Sequence, residues 1–419
     1  MFKTALKWIA RIILGAGLVL GLANCTMLGL NYSSLDTDNK PVPSPALTAD
    51  FNADETRRTF EDELYGPWPT DLPVSASDWR MVDSDYLGGR GTLEEISITI
   101  GEGQTARTFY VVVALPNQNN GPAPVILSQT FSDNCSVFPE DQVTAQNGTI
   151  CEGTRLTGTF GFLATQIFGS YIAYAPIDRY FDAGLGYASF EGSGFVPDRK
   201  ETANVVMSDL SPGPVPTGTL MAWAFGYDSV AKILASNPRI RPDAIAATGH
   251  SRYGKSALVA AAWSEAISAA IAHQSGFAGA ASSNSTTGET LKRMAQTYPH
   301  WLRPGLHEDL EAGKHLSLDQ HFLLALAAPK PVLLGNGRRD VWSDPNSTFR
   351  IARAADAVYE SYGVEGLPDG GMRTFDPSSE IAYWLRVGGH SVVSEDIDAF
   401  IAFMSAHFPT GAMAELALQ

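Results

Sequence analysis

Positive charge and cysteine are both scarce in this chain, and each shortage removes a class of function. The 419 residues carry 29 Lys and Arg against 45 Asp and Glu, a formal net charge of −16. Nucleic-acid binding needs basic surface to neutralise phosphates, so no nucleic-acid partner is expected. Only three cysteines occur, and none has metal-ligand company, so neither a metal site nor a cofactor is expected. Repeats and low-complexity blocks are missing too. What remains is 44% apolar, with 39 Gly and 25 Pro, the composition of a loop-rich globular protein with a sizeable core. α/β folds reach this length around one sheet.

The N-terminus carries an address. In "MFKTALKWIARIILGAGLVLGLANC", Lys3, Lys7 and Arg11 precede an apolar run from Ile12 to Ala23, the layout of an export signal. Cys25 closes that run as "LANC", which resembles a bacterial lipobox, although Asn24 stands where a small residue is usual. An uncleaved membrane anchor and ordinary signal cleavage are the alternatives. Each sends the rest of the chain to a periplasmic or cell-surface location, and lipidation or an uncleaved anchor also holds it at the membrane by its N-terminus. In that oxidising setting Cys135 and Cys151, which bracket "SVFPEDQVTAQNGTI", form a candidate disulfide. The expected organisation is a signal or anchor over 1–25, a tether over 26–75, a catalytic domain over 76–410 and a tail over 411–419. The tether rests on composition, since "NKPVPSPALTADFNADE" is rich in Pro, Asp and Ala.

Farther on, extended runs appear at "RTFYVVVALP" and "APVILSQT", with "QNNGP" as the turn between them. "GTLMAWAFGYDSVAKILASNP" is helical, with Leu220, Trp223, Ala224, Tyr227, Val230, Ala231 and Leu234 on one stripe. Strand-like "AIAATG", "AAIAHQ", "KPVLLGN" and "AYWLRV" then alternate with helix-like "KSALVAAAW", "STFRIARAADAVYESYG" and "DIDAFIAFMSAHF". Short apolar strands alternating with helices predict a mostly parallel sheet covered on both faces, a three-layer α/β sandwich. Chemistry in such sheets gathers at the carboxyl ends of strands, where Ser251, Asp340 and His390 fall.

Ser251 lies in "GHSRYG", next to a strand. A nucleophile elbow is usually written G-x-S-x-G, and here the second glycine, Gly254, comes one residue late. The plain alternative is a serine that caps the following helix. Asp340 in "LLGNGRRDVWSDP" and His390 in "WLRVGGHS" complete the chain order Ser, Asp, His of an α/β-hydrolase triad, with Asp344 as a reserve acid. A histidine supplies the base, and a carboxylate on its other nitrogen fixes the tautomer.

"GHSRYGK" also resembles the elbow of the glucuronoyl esterases, carbohydrate esterase family fifteen, which reads G-x-S-R-x-G-K. The likeness runs from about Ala114 to Phe408 and includes "QSGFAGAASSNSTTGET", "YPHWLRPGL", "RDVWSDP" and "RVGGHS". It implies an α/β-hydrolase that cleaves esters of glucuronic or 4-O-methylglucuronic acid on xylan, or small uronate esters. It also implies Ser251 as nucleophile, His390 as base and Arg252 as oxyanion donor, with Lys255, Trp342 and, more weakly, Glu289 as sugar contacts. Without the resemblance, Lys255 reads as a solvated lysine, and Trp342 and Trp301 as core. The chain departs from the family at Gln274, where many members carry a catalytic Glu, and the "SGFAG" that follows is altered. A glutamine carries no charge to stabilise an imidazolium, so the acid is expected at Asp340. A general carboxylesterase with the same triad, and a non-catalytic polysaccharide-binding surface lipoprotein, are the competing readings.

Overall fold

The apolar runs at the carboxyl half of the chain all enter one sheet. The computed structural model describes residues 43–48 and 51–410, apart from residue 71 and the stretches 118–120, 139–141, 152–164, 166–167, 211–212 and 214. The expected export signal with Cys25 and the expected tail over 411–419 lie outside the described residues. Among the described residues no helix is long and apolar enough to cross a membrane.

The strands are β1 Val74–Ala76, β2 Arg80–Asp85, β3 Gly91–Ile100, β4 Arg107–Pro116 and β5 Ala123–Thr130. They continue with β6 Gly186–Glu191, β7 Ile240–His250, β8 Ala269–His273, β9 Val332–Gly337 and β10 Ile381–Arg386. Their spatial order is β1-β3-β4-β6-β5-β7-β8-β9-β10, with β2 also paired to β3. From β6 through β10 all neighbours are parallel, whereas β1 to β4 and the β4–β6 pair are antiparallel. The strands on either side of "QNNGP" are therefore not neighbours, because β6 is inserted between β4 and β5.

Burial on both faces explains why β7 reads as an unbroken apolar run. Ile245 and Ala247 enter the core on one face, and Ala244 and Ala246 the core on the other. Six helices matter below: α1 Ala53–Phe60, α2 Ile177–Asp182, α3 Thr219–Leu234, α4 Arg252–Trp263, α5 Pro345–Ser361 and α6 Ser394–His407. α3, α4 and α5 bury Trp223, Leu258 and Ile351 on the first face, while α2 and α6 bury Phe181 and Phe403 on the second. The expected three-layer α/β-hydrolase arrangement is present.

The tether expected over 26–75 is corrected by its second half. Asn52 caps α1, its Oδ1 accepting the Glu55 N–H at 3.0 Å. Phe60, Leu64 and Tyr65 are buried in the main core, and Tyr65 meets Trp263 edge to face at 6.2 Å. Burying each such side chain contributes about 1.5–3 kcal/mol, which outweighs the tether-like composition around it. Val74–Ala76 then pairs with β3, so the folded body begins well before residue 76. Cys135 and Cys151 are joined as a disulfide, their Cα atoms 5.6 Å apart, in keeping with an oxidising compartment.

Candidate active site

Ser251 is the single residue between the end of β7 and the start of α4, with φ 56° and ψ −121°. A serine held at positive φ costs about 1–3 kcal/mol, so the surroundings must impose it. They do so through the backbone: the Ser251 N–H donates to His273 O at 2.9 Å, and its carbonyl accepts the Lys255 N–H at 3.1 Å. The side chain makes no capping hydrogen bond to the helix, unlike a helix-capping serine. Both glycines have steric causes. A Cβ on Gly249 would lie 2.3 Å from the Tyr253 backbone, and one on Gly254 2.9 Å from the carbonyls of Gly249 and His273. The late glycine is thus where α4 crosses the ends of β7 and β8 without room for a side chain.

His390 Nδ1 lies 2.7 Å from Asp340 Oδ2, and both residues are buried. With the carboxylate there, Nδ1 carries the proton and Nε2 is left as the basic nitrogen. The Ser343 N–H donates to Asp340 Oδ1 at 3.3 Å, and Ser343 Oγ sits 3.4 Å from His390 Nδ1. The His250 ring, next to Ser251 in sequence, packs 4.4 Å from that of His390. Asp344 has other partners: it accepts from Ser285 Oγ and caps α5 by accepting the Ser347 N–H at 3.0 Å. Burial raises the Asp344 carboxyl above its ordinary range.

Ser251 and His390 line a cavity of about 400 Å³ together with Arg252, Lys255, Glu289 and Trp342. That volume suits a small-molecule site. Lys255 is buried, not solvated: Nζ donates to Ser275 O at 2.5 Å and Phe277 O at 2.8 Å, and lies 4.0 Å from Glu289 Oε2. Burial lowers its pKa to about 8 and raises that of Glu289. Gly288 lets the Glu289 loop reach the Trp342 turn, since a Cβ there would meet Val341 O at 2.5 Å. The Glu289 N–H then donates to Trp342 O at 3.1 Å.

Arg252 opens α4, whose first N–H groups lack acceptors within the helix. Its guanidinium pairs with Asp198 and stacks 5.0 Å over Trp301 and 5.5 Å over Phe131. Asp198 Oδ1 also accepts from His300 Nε2 at 2.9 Å and Trp301 Nε1 at 2.7 Å. Burial, then Arg252, lowers the His300 pKa to about 4, so near neutral pH that ring is an uncharged donor. Trp301 is buried yet lines the cavity, so core and site are not alternatives for it. Asp198 itself, in "VPDRKE", carries no motif that sequence reasoning could have used.

Comparison with known proteins agrees with this architecture. A family described as "Glucuronyl esterase, fungi" matches residues 161–363. An enzyme named "Carbohydrate esterase MZ0003", from an unknown prokaryotic organism, is 28% identical over 92% of this chain and 93% of its own. The 4-O-methyl-glucuronoyl methylesterase of Phanerochaete carnosa is 25% identical over 58% of this chain and 63% of its own. A solved structure described as a promiscuous CE15 esterase from the marine bacterial metagenome superposes with TM-score 0.75 and 27% identity, covering 90% of this chain and 99% of the other. With the fold, nearly the full length and the sequence shared in this way, the chain is similar to the CE15 glucuronoyl esterases and is a carboxylic ester hydrolase.

Proposed function

We propose that the enzyme hydrolyses esters of glucuronic or 4-O-methylglucuronic acid through Ser251, His390 and Asp340. Ser251 Oγ attacks the ester carbonyl as His390 Nε2 takes its proton, and Asp340 stabilises the imidazolium. The oxyanion meets the Arg252 N–H at the start of α4, with the guanidinium lining the same cavity. One such donor contributes about 3–4 kcal/mol to the transition state. Collapse expels the alcohol, which takes the proton from His390. Water, with His390 again as base, then releases the uronic acid from Ser251.

Lys255 has three N–H donors and commits two to the Ser275 and Phe277 carbonyls, leaving one for a sugar hydroxyl. Trp342 offers a ring face, and Glu289 an acceptor beside the ammonium. The observation that carries this reading is the 2.7 Å contact of His390 with Asp340 on the wall of the cavity that holds Ser251. The enzyme is exported, and attachment through Cys25 completes the proposal, supported by the basic, apolar and cysteine order of the first 25 residues.

Initial rates on methyl glucuronate, benzyl glucuronate and a simple acetyl ester test the reading. The uronate esters should be hydrolysed with the higher kcat/KM, and Ser251→Ala should abolish both activities. A wild-type preference for the acetyl ester would favour a general carboxylesterase, and full activity in Ser251→Ala would remove the mechanism.

A further inference from the structure

Gln274 follows β8 directly, almost fully buried, with its backbone at φ 47°. Its side-chain amide makes two hydrogen bonds. Nε2 donates to Gly389 O at 2.8 Å, and Oε1 accepts the Ser391 N–H at 2.9 Å. Those two backbone groups stand immediately before and after His390. The rest of the residue is pinned as well, since its N–H donates to Gly335 O at 2.7 Å and its carbonyl accepts from Ser343 Oγ at 3.2 Å. Ser343 is the residue that also contacts Asp340 and His390. Gly337, at the end of β9, leaves room for the arrangement. A Cβ there would lie 2.6 Å from Gln274 Nε2 and 2.7 Å from Gly389 O. From the other side Arg386, paired with Asp396 at 2.8 Å, donates to Ser391 O at 2.5 Å.

We infer that Gln274 is the positioning residue for His390, a clamp whose amide brackets the loop and delivers Nδ1 to Asp340. The inference rests on His390 acting as the base. The chemistry demands an amide, because one end must donate and the other accept. An ionised glutamate only accepts, so its second oxygen would face the Gly389 carbonyl unpaired and repelled in a buried place. The glutamine is therefore not a neutralised acid but a different part, matched to the two backbone groups it holds.

The test compares Gln274→Met and Gln274→Glu with wild type on methyl glucuronate from pH 5 to 9. Both variants should lose kcat by about 10- to 100-fold, with KM changed by less than about threefold, in line with the usual cost of misplaced supporting groups. The ratio of Gln274→Glu to wild type should rise as pH falls, because a protonated carboxyl can donate to Gly389 O as the amide does. The Gln274→Met ratio should stay flat. Gly337→Ala, which drives a methyl between the amide and Gly389 without entering the cavity, should show the same loss of kcat at unchanged KM. Wild-type kcat in Gln274→Met would overturn the inference. So would a Gln274→Glu ratio that rises with pH, or a Gln274→Glu change that restores Asp340→Asn, since both mark an acid's position. Ser251→Ala measured alongside separates the two levels: if it remains active, the base assignment itself fails, whatever the Gln274 variants do.

Discussion

Replacing Asp340 by Asn removes one charge and keeps the shape, which makes it a sharp probe of the site. Asp340 Oδ2 lies 2.7 Å from His390 Nδ1 in a buried setting. With an effective dielectric constant of about 20, the Coulomb attraction to an imidazolium at that distance is about 6 kcal/mol. The amide also offers an N–H to Nδ1, which favours the tautomer with its proton on Nε2 and so leaves no base toward Ser251. Loss of such a carboxylate lowers kcat by about 10⁴, or about 5.5 kcal/mol at 1.36 kcal/mol per decade. The two figures agree. The assay is kcat on methyl glucuronate at pH 7.5, with thermal melting as the control for folding. Asp344→Asn is the companion. Asn caps a helix as well as Asp, so this change keeps the cap of α5 and should leave both melting and kcat close to wild type. More than a tenth of wild-type kcat in Asp340→Asn, or a collapse confined to Asp344→Asn, would remove Asp340 from the triad.

Lys255 ties binding to pH: its pKa, lowered to about 8 by burial, lies below the ordinary lysine value, so the ammonium is complete below that point and lost as pH rises through it. KM for methyl glucuronate should therefore climb above about pH 8 while kcat holds, and a KM that is flat to pH 9.5 would detach Lys255 from the sugar. Asp198→Asn should free the Arg252 guanidinium and cut kcat about 10- to 100-fold with little change in melting; an unaffected kcat would show that the Arg252–Asp198 pair serves only structure. Serine at both Cys135 and Cys151 should lower stability by about 3 kcal/mol in denaturant unfolding with kcat retained, because the bridge closes a short loop and lies outside the cavity lining. Mass spectrometry of the exported protein should find a lipidated Cys25 at the N-terminus, and an unmodified Cys25 would rule out that anchor.

The parallel half of the fold was legible because burial on two faces writes itself as short continuous apolar runs, as in "AIAATG" and "KPVLLGN". The antiparallel half was not. β3 reads "GTLEEISITI", and its Glu94 and Glu95 are buried with Arg239 and Arg80 reaching them at 2.9 and 2.8 Å, and with Asn237 and Thr144 donating to them. Nothing local announces those partners. The start of the folded body was hidden in the same way, since Phe60 and Tyr65 count for more than the Pro and Asp before them. Strand ends and chain order singled out Ser251, Asp340 and His390 as candidates, and the geometry places Asp340, not Asp344, against His390. Asp198 and the clamp by Gln274 were invisible, because their contacts span 54 residues to Arg252 and 117 to Ser391. The offset of Gly254, awkward as a motif, became intelligible only once helix and strand were seen in contact.

The proposed chemistry makes Ser251 a nucleophile activated by His390 and Asp340 in a pocket for a uronate ester. Labelling with a fluorophosphonate, followed by peptide mass spectrometry, tests it most directly. One adduct is expected, on Ser251, formed slowly in Asp340→Asn and suppressed by methyl glucuronate at concentrations near its KM. An adduct elsewhere, or labelling of Ser251 that neither the Asp340 change nor the uronate ester affects, would contradict it.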